Sequence, residues 1–470
     1  MGFNGTKARV PGSTAQDFLI WSISTDQGRT WSEHNRNNGG PGGNAVDNPT
    51  TPFNSYRGDS SIVALPTVPG GVAMVTLADR RACPTDPASS SVAPCPDLVV
   101  LFVSIDGGVT FKTSIVNDRL GVGITDQPRV TVDPSDGTIW VMWRARLALT
   151  AYNTYVRGGH INASGGVDWD INGDGQLVMS TPPFPTPDYQ HPRIKVFRRP
   201  GNQARTIAVT GPLAAPGTTF FTNGRCIPGA TIRNSFWQYP LGVYFTVSED
   251  NGQHWTTEST FEMGKPYALG CVGGAGGRDA TGLLIYSENR IDLALDPHNN
   301  NYLVTRARAV SDSTNNVFTN NTFIGQQVEV WRRSTTPGAV FTRVFPVTPA
   351  PALPWSSANP WQFNPSIAAS DDGQIAVSYY QTVGTTQSVE LMVIGSRDGG
   401  NTWSAPVQLS RNSPQIATDR SLGEYDEIIA LPQPPNQGPY PLWPGLFYAS
   451  WSNGSGRVFA AGFSPPPPSP

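Results

Sequence analysis

The chain has 470 residues, of which 14% are charged, with 49 Gly, 44 Pro and a net charge of −3. Gly and Pro both interrupt helices, so this composition favours short strands joined by tight turns. The near-neutral charge offers little to a nucleic acid or an anionic membrane surface, no apolar run has the length of a membrane span, and no charged-then-apolar leader stands at Met1.

Taken in chain order, the sequence predicts strands almost throughout. A β-rich segment, a turn with Gly or Asn and a second β-rich segment recur at 60–79, 128–143, 192–209, 290–305, 365–380 and 424–451. One hairpin cannot bury both of its faces, whereas radially packed four-stranded blades can. Residues 1–33 lack the preceding hairpin and read as outer strands that close the last blade, or as the remnant of another. The expectation is one all-β, six-bladed β-propeller over 1–464, with seven blades as the alternative, and a stiff proline-rich tail or linker over 465–470.

Four copies of a second pattern, Ser-x-Asp-x-Gly-x-x-aromatic, lie between the hairpins. They run Ser24–Trp31, Ser104–Phe111, Ser248–Trp255 and Ser396–Trp403. Ser and Asp oxygens can accept backbone N–H bonds inside such a turn, Gly tolerates positive φ, and the aromatic ring can fold back into the sheet. These are Asp boxes, and over nearly its full length the chain resembles the sialidase-like (BNR/Asp-box repeat) β-propeller family, of exo-α-sialidase (neuraminidase) type. Asp boxes in that family are scaffold, so the chemistry must lie elsewhere.

The resemblance implies a site residue by residue. Tyr56-Arg57 opens the first blade, as in the family's (Phe/Tyr)-Arg-Ile-Pro motif, and makes Arg57 a substrate-carboxylate ligand. Gly58-Asp59 stands where Ile-Pro is expected. Arg81 ends the hairpin as a supporting residue, and Asp86, five residues on, takes the acid/base place. Glu288 opens the fourth blade as the base that activates the nucleophile, and Arg306 ends its hairpin as a second carboxylate ligand. Asp292 and Arg308 rival these two if the register is shifted by two residues. Tyr425, in Glu424-Tyr425-Asp426, is the nucleophile. A phenol suits an anomeric carbon that bears a carboxylate, because it avoids the repulsion a carboxylate nucleophile would meet. The third carboxylate-binding arginine of the family is missing: Tyr380-Gln381 to Gln387-Ser388 holds no Arg. Arg193, Arg129 or Arg420 is a possible replacement from another blade.

The expected function is an exo-acting glycoside hydrolase that releases terminal sialic acid or a related acidic sugar by a retaining mechanism. The alternatives are a non-catalytic propeller that binds glycans or proteins, and a propeller polysaccharide lyase, for which His191 at the start of the third blade would serve. The expected partner is a sialoglycoconjugate or acidic polysaccharide, and the expected protein a secreted monomer. Cys83, Cys95, Cys226 and Cys271 form no CxxC pair, so zinc is not expected. Pairing Cys83 with Cys95 and Cys226 with Cys271 closes the shortest loops. Asp168, Asp170, Asn172 and Asp174 have the alternating spacing of a calcium loop, but position twelve carries no acid, and a plain polar turn is the preferred reading.

Overall fold

The computed structural model describes residues 2–4, 19–23, 30, 32–35, 53–80, 98–108, 110–117, 125–148, 151–180, 192–198, 204–220, 237–261, 271–272, 285–286, 291–310, 325–346, 362–383, 389–410, 427–430, 447–452 and 458–464. They are strands and turns, with no helix among them. The chain clusters into two compact units, Met1–Val209 with Phe245–Ser259, and Thr210–Tyr244 with Thr260–Pro470.

The strands form antiparallel meanders. The first sheet has three strands, β1 (Gly2–Asn4), β2 (Leu19–Ile23) and β3 (Ser32–Asn35). Then come β4 (Phe53–Ala64), β5 (Val72–Arg80), β6 (Leu98–Ser104) and β7 (Lys112–Asn117), followed by β8 (Thr125–Val132), β9 (Ile139–Ala148), β10 (Ala151–Ile161) and β11 (Val167–Ser180), each set a four-stranded sheet. A third such sheet holds β12 (Arg193–Arg198), β13 (Arg205–Phe220), β14 (Trp237–Ser248) and β15 (Thr256–Phe261), and β16 (Cys271–Val272) pairs with β17 (Ile285–Tyr286). Two further four-stranded sheets are β18 (Ile291–Asp296), β19 (Asn301–Val310), β20 (Gly325–Ser334), β21 (Thr342–Phe345), and β22 (Gln362–Ala369), β23 (Ile375–Thr382), β24 (Val389–Ser396), β25 (Val407–Gln408). The last sheet is β26 (Glu427–Ala430), β27 (Phe447–Ser452) and β28 (Val458–Phe463).

Within each unit these sheets pack face to face. In the first unit Val75, Leu77, Val99 and Leu101 of one sheet meet Val130, Ile139, Val141 and Trp143 of the next. In the second unit Leu303, Val328 and Val330 meet Ile367, Ile375 and Val377. The other face of that sheet, with Phe363, Tyr380 and Leu391, meets Ile428, Phe447 and Ala449. Middle strands are therefore buried on both sides, and β6 reads Leu-Val-Val-Leu-Phe-Val-Ser with every residue buried. First strands sit next to first strands: β4 by β8 and β8 by β12 in the first unit, β18 by β22 and β22 by β26 in the second.

The turns between third and fourth strands are capped by their own side chains. Ser104 Oγ donates to Asp106 Oδ1 at 2.8 Å and accepts from the Gly108 N–H at 2.8 Å, and Asp106 accepts from the Thr110 N–H at 2.9 Å and the Thr110 hydroxyl at 2.5 Å. Ser396, Asp398, Gly400 and Thr402 repeat these bonds. At Ser248–Trp255 a histidine replaces the threonine, and His254 Nδ1 lies 2.6 Å from Asp250 Oδ2. Of the first copy, Ser24–Trp31, only Thr30 is described.

These caps couple stability to acid. Burial pushes the Asp398 carboxyl up, but hydrogen bonds from the Thr402 backbone and hydroxyl, Ser396 and the Asn401 backbone outweigh it, and the group sits below the ordinary carboxylate range. Asp250 is lowered in the same way, against burial, by the His254 backbone and ring and by Ser248. A carboxylate lowered only in the folded chain stabilises it fully above its unfolded value, about 3.9. That stabilisation is lost as pH falls through the lower folded value. The melting temperature is thus expected to fall on acidification below about pH 4. A melting series should show Asp398→Ala lowering stability by about 1 kcal/mol at neutral pH and flattening the acid limb. A variant as acid-sensitive as the wild type would contradict this.

One polar segment differs from its expectation. Asp168–Ile171 is not a turn but part of strand β11, paired with β10 at Asp168↔His160 and Ile171↔Gly158, and Asn172–Gly175 falls in the register shift before Gln176↔Val156, with the side chains of Asn172 and Asp174 outside the described residues. Oxygens at alternating positions are also what the solvent side of a strand supplies. Asp168 and Asp170 are exposed, while Trp169 packs on the core from the other side. Asp170 lies 2.9 Å from His160 Nδ1, and Asp168 accepts from Asn162 Nδ2 at 2.9 Å. Gly175, at φ 106°, is a glycine for a steric reason, since a Cβ there would collide with the Trp143 ring.

Cys83, Cys95 and Cys226 lie outside the described residues, and of Cys271 only the strand backbone is described. The expected disulfides fall there, as does the tail 465–470.

Candidate functional site

In an antiparallel four-stranded meander the turns after the first and third strands share one end. The start of the first strand and the end of the second lie at the other. The self-capped turns mark the first end. Arg57 lies near the start of β4 and Arg306 in the second half of β19. Arg81 follows β5 directly, Asp86 lies in the β5–β6 connection, Glu288 precedes β18 by three residues and Tyr425 precedes β26 by two. Of the six, the described positions of Arg57 and Arg306 lie toward the end of their sheets away from the capped turns. Arg57, Arg81 and Asp86 are in the first unit, and Glu288, Arg306 and Tyr425 in the second. Arg81, Asp86, Glu288, Tyr425, His191 and Arg420 lie outside the described residues, as do the side chains of Arg57 and Arg308.

Arg306 is described in full, and its environment was not anticipated. It is 2% exposed. Its Nε and Nη2 donate to Glu329 Oε2 at 3.2 and 2.9 Å, and its guanidinium lies 5.1 Å from the centre of the Trp331 ring. Trp331 Nε1 donates to the same oxygen at 3.0 Å, and Arg343 Nη1 to Glu329 Oε1 at 3.3 Å. Strand pairing places Glu329 directly opposite Arg306. The arginine charge is therefore met within its own sheet.

Arg144 holds the matching place in the first unit. Each of the two arginines lies five residues past the pair that closes its hairpin, Val132↔Ile139 and Asp296↔Asn301. Arg144 is buried, donates to Gln127 Oε1 at 3.2 Å and lies 3.9 Å from Asp126, whose side chain is 36% exposed. Arg129 and Arg193 are buried on the first strands of their sheets.

Asp292, the rival to Glu288, is a structural group. Its carboxylate is buried and accepts from the Leu293 N–H at 2.9 Å, Ser366 Oγ at 2.6 Å and the Ile367 N–H at 3.1 Å. Ser366 Oγ in turn accepts from the Ile428 N–H at 3.1 Å. One chain of hydrogen bonds thus joins β18, β22 and β26, whose facing edges are not paired as a ladder. Asp292→Ala leaves three donors without this acceptor and is expected to cost about 2–3 kcal/mol. Urea unfolding measures it, and an unchanged midpoint would contradict the assignment.

Among the described residues no group of three or more His, Cys, Asp or Glu side chains is placed to hold a metal ion. A second charged cluster serves as scaffold. Asp133 accepts from Arg198 Nε at 3.1 Å and Arg205 Nε at 2.8 Å, and both arginines also bond Asp136. It ties the β8–β9 turn to the β12–β13 hairpin.

No family model matches the chain. No curated protein matches it either. Among solved structures it is similar to an α-L-arabinofuranosidase from Fusarium graminearum in complex with an iminosugar inhibitor, at 14% identity and a TM-score of 0.42, covering 86% of this chain and 92% of that one. It is similar to a Hadza microbial sialidase at 12% identity and a TM-score of 0.41, covering 86% of this chain and 64% of that one. It is also similar to Trypanosoma rangeli sialidase in complex with sialic acid, at 12% identity and a TM-score of 0.39, covering 96% of this chain and 56% of that one. The chain thus spans less than two thirds of the length of both sialidases. Likeness at this level does not extend to substrate or mechanism.

Proposed function

We propose that the chain is a secreted glycoside hydrolase on one six-bladed, sialidase-like β-propeller, and that it releases a terminal acidic sugar with retention. The observation that carries this reading is the packing of four-stranded antiparallel meanders with first strand beside first strand in each unit, β4 by β8 by β12 and β18 by β22 by β26, which is how the blades of a propeller pack.

In this reading Glu288 takes the Tyr425 hydroxyl proton as the phenolic oxygen attacks the anomeric carbon. Asp86 protonates the departing glycosidic oxygen, so the aglycone leaves as an alcohol. Asp86 then removes a proton from water, which displaces Tyr425, and the phenol regains its proton from Glu288. Arg57 grips the sugar carboxylate, supported by Arg81. Arg306, held by Glu329, supports the site from within its sheet. The grip is therefore weaker than that of a full arginine triad. One charged hydrogen bond is worth about 1.5–3 kcal/mol, or roughly one to two powers of ten in affinity.

A panel of fluorogenic sialosides, neutral hexosides and uronate polymers tests the reading. Turnover of the sialoside above the hexosides, lost with Arg57→Ala, is expected. Glycan binding without turnover of any substrate would instead favour a non-catalytic propeller, and eliminative cleavage of the uronate polymer a lyase.

A further inference from the structure

In three sheets the first strand carries an extra residue at the same place, and β4 carries two more nearer its start, between Phe53 and Ser55 and between Tyr56 and Gly58. Between β4 and β5 the ladder passes from Gly58↔Leu77 to Ser61↔Val75, so Asp59 and Ser60 face Thr76 alone. Between β8 and β9 it passes from Asp126↔Arg144 to Arg129↔Met142, and Gln127 and Pro128 face Trp143. Between β22 and β23, Phe363↔Tyr380 gives way to Ser366↔Ser378, and Asn364 and Pro365 face Tyr379. Each facing residue lies four positions past the pair that closes its hairpin, Ala64↔Val72, Val132↔Ile139 and Ala369↔Ile375.

Two of these bulges are strained. Gln127 has φ 49° and Asn364 φ 47°. Neither is glycine, and each precedes a proline, which pushes its predecessor towards extended backbone. Such strain persists only where the surroundings over-determine it. Both residues are buried, and Arg144 holds the Gln127 amide. The sheet itself does not require the extra residue. Between β18 and β19 the ladder runs unbroken from Ile291↔Arg306 to Asp296↔Asn301, through Asp292↔Thr305 at the matching place.

One inserted residue turns every side chain beyond it to the opposite face. Here the residues beyond it are the strand starts, the end to which Arg57 belongs. We propose that the bulges at Gln127–Pro128 and Asn364–Pro365 are positioning devices that set which face of each strand start meets the glycan, and that Gln127 and Asn364 are held left-handed for this purpose and not for folding. The proposal rests on the glycosidase reading.

The experiment compares four variants with the wild type in thermal unfolding and sialoside kinetics: deletion of Gln127, deletion of Asn364, Gln127→Val and Gln127→Asn. Each deletion restores the regular ladder seen in β18–β19. It is expected to unfold cooperatively with its melting temperature kept, and to lose on the order of 10²-fold in kcat/KM. Gln127→Val, whose branched side chain resists positive φ, is expected to raise KM more than it lowers kcat. Gln127→Asn keeps an amide and tolerates positive φ, so it should retain wild-type kinetics. Wild-type kcat/KM in either deletion overturns the proposal. So does a collapse of melting temperature in both deletions, since the bulge would then serve the fold. A wild type inert to every glycoside sinks the glycosidase reading separately. The deletion melting temperatures then decide whether the bulges are needed for folding: a collapse overturns the proposal, and retention upholds its claim that they are not.

Discussion

Replacing Tyr425 with phenylalanine is expected to lower kcat/KM for an acidic glycoside by on the order of 10³-fold, about 4 kcal/mol of barrier. The melting temperature should stay near that of the wild type. The variant removes one oxygen, and that oxygen is the nucleophile of the proposed mechanism. Without it the anomeric carbon can only be attacked directly by water, with no covalent intermediate to divide the barrier. A loss confined to KM would mean that the hydroxyl only binds substrate. Full activity in Tyr425→Phe would remove Tyr425 from the chemistry. Glu288→Gln should produce a comparable loss, because the phenol is a poor nucleophile while it keeps its proton.

Glu329→Ala is expected to destabilise the chain by about 3–5 kcal/mol, the usual cost of leaving one charge of a buried pair behind. The four bonds that end on Glu329 come from Arg306, Trp331 and Arg343, and Arg306 and Glu329 are each 2% exposed at the side chain. Replacing both Arg306 and Glu329 with leucine should recover much of the loss, because the fully buried charge is then gone as well and only Arg343, 18% exposed, loses this partner. Chemical unfolding of the two single variants and the double variant measures the coupling. A Glu329→Ala chain as stable as the wild type would show that the pair is not holding the sheet end.

The strands were legible because their cause is local. Alternating or continuous apolar runs broken by Gly, Asn and Pro make the hairpins read at 60–79, 128–143, 290–305 and 365–380 coincide with β4–β5, β8–β9, β18–β19 and β22–β23, whose strands run some residues further at one or both ends. The capped turns were legible because Ser104, Asp106 and Thr110 bond one another within a few residues. What escaped depends on partners distant in sequence. Arg306 could be placed at the end of its hairpin, but Glu329 is 23 residues further on and meets it only through the β19–β20 register. The bulges escaped for the same reason, since an extra residue exists only relative to a facing strand. A local signal does accompany two of them. Gln127-Pro128-Arg129 and Asn364-Pro365-Ser366 share an amide before proline, and His191-Pro192-Arg193 stands at the matching sequence position, with His191 outside the described residues. Asp168–Ile171 reads in sequence as part of a polar turn because a strand with one wet face also places oxygens at every second residue.

The most direct measurement is a crystal structure of the Tyr425→Phe variant soaked with a sialoside, read beside the unliganded wild type. The account predicts the sugar at the strand-start end of the sheets, its carboxylate within about 3 Å of Arg57. In the wild type it predicts the Tyr425 and Glu288 oxygens about 2.5–3.0 Å apart. A sugar bound at the capped-turn end, or Tyr425 and Glu288 on opposite ends of their sheets, would contradict it.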